Sequence, residues 1–77
     1  MNEIRKIYSA LKAVLPVEED DVFPMCGFGD VAVHLKDANE GDSLLCDSTL
    51  NSLGYHLSDW EEDEDITVRM YKKVHKN

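Results

Sequence analysis

Apolar residues recur along this chain with two periods. Ile4, Ile7, Tyr8, Leu11 and Leu15 return every three or four positions, with Arg5, Lys6, Ser9 and Lys12 between them. That spacing predicts an amphipathic helix over residues 2–15. Asn2 suits its start, and Pro16 its end, because the residue before a proline is pushed out of the helical region. Farther on the period shortens to two. Val31, Val33 and Leu35 alternate with Ala32 and His34, which predicts a strand with His34 outward. A second alternation runs from Ile66 to Val74, preceded by a shorter one at residues 55–58. Pairing Leu57 with Val68 and Tyr55 with Met70 gathers four apolar groups on one face of a hairpin. In that arrangement Ile66, Val68 and Met70 are core, Thr67, Arg69 and Tyr71 point outward, and residues 59–65 form the loop.

The remaining segments are less regular. Residues 18–21 are consecutive acids and read as a solvated connector, placed where the preceding helix dipole gains nothing from them. Residues 22–29 are apolar but interrupted by Pro24, Gly27 and Gly29, which suggests an irregular loop with a short edge strand before Pro24. Residues 37–42 form a polar turn. Residues 43–53 admit two readings. One is a single helix capped by Asp42 or Ser43, with Cys46, Leu50 and Leu53 on one face and Gly54 as its stop. The other is a short strand over 43–46 followed by a helix from Asp47. The single helix is favoured, although its Ser and Thr content weakens it. The expected fold is one α+β domain spanning residues 1–77. An N-terminal helix and a second short helix cover one face of a three- or four-stranded, mostly antiparallel sheet that ends in a C-terminal hairpin.

A chain of 77 residues buries only about 60–65% of its unfolded surface, so the core is thin. It has neither an apolar run long enough to span a bilayer nor the pattern of a secretory leader, which predicts a cytoplasmic protein without membrane contact. In that compartment Cys26 and Cys46 are read as free thiols.

Charge changes the picture more than size does. The net charge is −8, yet residues 1–17 carry +2, residues 66–77 carry +4, and residues 18–65 carry −14 from fifteen acids and one base, Lys36. Direct nucleic-acid binding needs clustered Lys and Arg and is disfavoured.

Candidate chemistry is sparse. Cys26, His34, Cys46 and His56 have the donor types of a zinc site, but no pair lies within the two to four residues that let one turn aim two ligands. A Cys26–His34 nucleophile lacks a thiolate-stabilising cation and has acids nearby. Gly27-Phe28-Gly29 lacks the lysine and following helix of a phosphate loop, and the alternating ligands of a calcium loop are missing. No catalytic, cofactor-binding or metal-binding residue is assigned, and no enzymatic activity is expected.

The acidic run itself is the candidate site: Asp59, Trp60, Glu61, Glu62, Asp63, Glu64 and Asp65, with Phe28 as a second aromatic. An aromatic among carboxylates supplies affinity where the charges supply steering. The sequence therefore predicts a small non-enzymatic protein that binds a basic surface of a partner that itself handles nucleic acid. In its strongest form it is a nucleic-acid mimic whose carboxylates stand where phosphates would, comparable in size and charge to the short acidic inhibitors encoded by phage and other mobile elements. The alternative is an assembly module that forms a homodimer through a sheet edge or the Tyr8 and Leu11 helix face, with the acids serving solubility.

Overall fold

The computed structural model describes residues 3–25, 30–37 and 39–74. Helix α1 spans Glu3–Lys12, a short 3-10 turn spans Glu19–Asp21, strand β1 spans Val22–Pro24, and β2 spans Val31–Lys36. Helix α2 then spans Glu40–Ser52, followed by the hairpin strands β3, Tyr55–Asp63, and β4, Ile66–Lys73. The strands lie in the order β1-β2-β4-β3, and every neighbouring pair is antiparallel. Strands β2 and β3 therefore run parallel, joined by α2, with β4 inserted between them. This is the α+β architecture expected from the pattern, with four strands.

The helices form because their apolar stripes find the same face of the sheet. Ile7, Leu11 and Leu15 from the α1 region and Cys46 and Leu50 from α2 are buried with Val22, Val31, Val33, Leu35, Tyr55 and Tyr71, while Ile4, Tyr8, Leu53 and Leu57 pack partly buried against them. Helix α1 stops earlier than Pro16: the Val14 and Leu15 amides both donate to the Leu11 carbonyl, closing the last turn. The expected Asn2 cap lies outside the described residues.

Helix α2 is continuous, which decides between the two readings of residues 43–53. It starts three residues before Ser43, because Asn39 rather than Asp42 or Ser43 is the cap. The Asn39 side chain accepts from the Asp42 amide at 2.9 Å, and the Asp42 carboxylate accepts from the Asn39 amide at 3.2 Å, a reciprocal capping box. The hydroxyl of Thr49 donates back to the Leu45 carbonyl at 2.8 Å, so the residues that weaken the helix on propensity are satisfied within it. Gly54 ends it with φ of +91°, a conformation costly for residues with a side chain. The chain then turns into β3.

Three expectations are corrected. First, the acids at 18–21 are not a wholly solvated connector. Asp21 is buried, accepts from the Glu18 amide at 2.9 Å and pairs with Lys36 at 3.6 Å. Second, the hairpin register differs: Leu57 pairs with Tyr71 and Tyr55 with Lys73. A β-bulge between Leu57 and Asp59 inserts Ser58, and strand pairing continues to Asp63, leaving only Glu64 and Asp65 as the turn. Trp60 thus sits on a strand, opposite Arg69, and not in a loop. Third, the covered face of β4 is the other one. Arg69 and Tyr71 are buried beneath the helices, while Ile66 is 40% exposed and Val68 and Met70 are half-buried on the open face. The physical cause is Asp47 of α2, which satisfies the polar ends of both buried side chains.

Candidate functional site

The bulge at Ser58 decides how the candidate residues are displayed. In a regular strand residues 57 and 60 would point to opposite faces. With one residue inserted, Leu57 opposite Tyr71 and Trp60 opposite Arg69 share the helix-bearing face. Glu62 follows Trp60 on that face, and Asp59, Glu61 and Asp63 line the open face. The Trp60 amide donates to the Asp59 carboxylate at 2.8 Å, and the Ser58 hydroxyl donates to the Met70 carbonyl at 3.2 Å. The bulge thus holds its own polar groups. The run read as one solvated tip is split: three acids on the open face, Trp60 and Glu62 toward α2, and Glu64 and Asp65 in the turn. Phe28 lies outside the described residues.

Acidic residues from three segments far apart in sequence lie toward this end of the sheet. The Asp37 amide, in a residue with φ of +53°, donates to the Asp65 carbonyl at 2.7 Å. This ties the β2–α2 connection to the hairpin turn. Asp37 and residues 62–67 border one open recess there. Asp21, Lys36 and Asp42 border a smaller one beside Leu35. The one base of the acidic middle, Lys36, is taken by Asp21. Strand β4 leads away from this end to the exposed Lys72 and Lys73, about 20 Å distant at the rise of an extended chain.

Beside the acidic end lies a groove of about 410 Å³ between α2 and β3. Its apolar surface comes from Leu57, Trp60 and Leu44; Trp60 is 53% and Leu44 63% exposed. Glu40, Glu62, Asp47 and Arg69 line it as well. The Arg69 guanidinium lies 6.0 Å from the Trp60 ring centre, within reach of a cation–π contact. Leu44 and Glu40 are functional candidates that the sequence reading passed over. The signal was present: Leu44 falls off the Cys46, Leu50, Leu53 stripe of α2, so a helix there leaves it facing solvent.

Under the groove is a closed polar cluster. Asp47 accepts from Arg69 Nε at 2.9 Å and Nη2 at 2.7 Å, and from the Tyr71 hydroxyl at 2.5 Å. That hydroxyl is 3.2 Å from the Cys46 sulfur. Burial pushes the Cys46 thiol up to about 11, an effect that hydrogen bonding to Tyr71 partly offsets and the charge of Asp47 reinforces. Burial, then the neighbouring Cys46 and Asp47, also raise Tyr71. A free thiol so held is a poor nucleophile. The cluster is a packing device.

The other ligand-type residues are not brought together. His34 is on the open face, edge-on to Phe23 with ring centres 5.0 Å apart, whereas Cys46 lies in the core on the opposite side of the sheet. Among the described residues no group of His, Cys, Asp and Glu is arranged to hold a metal ion, and no helix is long and apolar enough to cross a membrane. Cys26, the other half of the nucleophile considered above, lies outside the described residues. Comparison with protein-family models, with curated proteins and with solved structures finds no match to this chain.

Proposed function

We propose that this chain is a non-enzymatic acidic protein that docks its hairpin-turn end onto a basic surface of a protein partner. In the strongest form of the reading, that surface is the nucleic-acid groove of the partner, and the carboxylates take the place of phosphates. One observation carries the proposal: Asp21, Asp37, Asp42 and the acids of residues 62–65, from three separate segments, lie toward one end of the sheet. Their like charges repel there, a cost to folding that a solubility coat spread over the surface would avoid. A concentrated field of one sign steers a partner of the other sign.

The homodimer alternative has less to draw on. Leu11 is fully buried and Tyr8 is packed partly against the core, so the helix face is occupied within the molecule. The free edge of β3 carries Asp59, Glu61 and Asp63, and two such edges repel.

The test is competition. A protein captured from the source cell should bind nucleic acid, lose it when the wild-type chain is added, and keep it when a variant with Glu62→Lys, Glu64→Lys and Asp65→Lys is added instead. A captured partner that releases no nucleic acid would remove the mimicry. Monomers throughout sedimentation would count against assembly, and salt-insensitive dimers would count for it.

A further inference from the structure

Resting on the reading of a basic partner, we propose that the groove between α2 and β3 seats one arginine side chain of that partner. Its guanidinium stacks on the open part of Trp60, beside Leu44, and donates to Glu40 and Glu62. The bland alternative is that Trp60 and Leu44 are scattered surface apolar residues, which are common. Two observations favour a seat. The apolar pair faces one groove from two different elements, so the exposed area is contiguous and shaped by the fold. The charge of that groove is also unbalanced. Arg69 is neutralised by two hydrogen bonds to Asp47, whereas Glu40 and Glu62 have no ion-pair partner among the described residues. A cation is therefore the complementary guest.

Arginine fits better than lysine for a geometric reason. A planar guanidinium stacks on an indole and offers paired donors to carboxylates, while an ammonium is a compact, strongly hydrated point charge. The protein builds the same arrangement internally: Arg69 lies by the Trp60 ring while Asp47 grips it with both oxygens. A guest arginine would use the surface that Arg69 leaves open on the half-exposed Trp60.

The experiment titrates the full chain at low salt with an alternating arginine–glycine peptide and with a lysine–glycine peptide of equal length. Binding is followed by calorimetry and by the fluorescence of Trp60, the one tryptophan present. The arginine peptide should bind several-fold tighter than the lysine peptide and change the Trp60 emission. The pair Glu40→Gln and Glu62→Gln should weaken it about tenfold, an effect of close charge pairs, whereas Glu64→Gln and Asp65→Asn should weaken it far less. Thermal melts confirm that both variants are folded. Equal affinity for the two peptides with a silent Trp60, or equal losses from the two variants, overturns the arginine seat and leaves the basic-partner reading intact. Failure of both peptides to bind overturns both readings.

Discussion

Asp47 on α2 holds Arg69 on β4 with both carboxylate oxygens, at 2.9 and 2.7 Å, on the face of β4 that the helices cover. Arg69 is only 8% exposed. Removing its partner leaves a guanidinium without an acceptor in a small core, and leaves the Tyr71 hydroxyl only the weak acceptor Cys46 Sγ. Asp47→Ala should therefore cost about 3 kcal/mol, the lower end for a broken buried pair because Asp47 is partly exposed. Out of a typical total of about 5–15 kcal/mol, that is a large share. The double variant Asp47→Leu with Arg69→Met should recover most of the loss, since no unpaired charge remains. Urea unfolding of the three proteins decides it; a double variant as unstable as Asp47→Ala would mean that the pair does more than satisfy itself.

Stability should fall in alkali. The Cys46 thiol has an ordinary pKa of 9.0, and burial raises it to about 11 in the folded chain. Below pH 9 both states hold the proton and this group has no effect. Between about 9 and 11 the unfolded chain has lost a proton that the folded one keeps, so unfolding becomes easier as pH rises. Tyr71 and Tyr55 are raised as well and act in the same direction from about pH 10 upward. Urea midpoints measured from about pH 8 to about pH 10.5 should decline, and the decline should be shallower in Cys46→Ala.

The two faces of β4 should answer differently to truncation. Tyr71 is fully buried, so Tyr71→Ala should cost about 3–5 kcal/mol, as for other buried aromatics. Ile66 is 40% exposed on the open face, and Ile66→Thr should stay within about 0.5 kcal/mol. Comparable losses at both positions, read from thermal melts, would mean that the open face is covered as well.

Added salt should stabilise the protein. The converging acids repel at low ionic strength, and raising it from about 20 to about 200 mM shortens the screening length to below about 10 Å. The thermal midpoint should rise over that range, and rise less in the variant Glu64→Gln with Asp65→Asn. A falling midpoint would show that the attractive pairs Asp47–Arg69 and Asp21–Lys36 outweigh the repulsion.

Much of the fold was legible in the chain because periodicity is a local property. The spacing of Ile7, Leu11 and Leu15 marks a helix, and the alternation of Val31, Val33 and Leu35 marks a strand, whatever they later touch. The α+β class, the second helix and the C-terminal hairpin follow from such signals. Alternation does not say which of two faces is covered, and on β4 the more apolar row of Ile66, Val68 and Met70 pointed to the wrong one. The answer lay in a carboxylate 22 residues away from Arg69 in sequence, which only the packing of α2 against the sheet brings within reach. The same holds for the surface. Composition marks the segment from Glu18 to Asp65 as acidic, but the placing of acids from three of its stretches toward one end of the sheet depends on the Asp37 to Asp65 hydrogen bond and the strand order. The position of Trp60 beside Leu44 depends on a single inserted residue, Ser58, whose effect on side-chain direction no local pattern records.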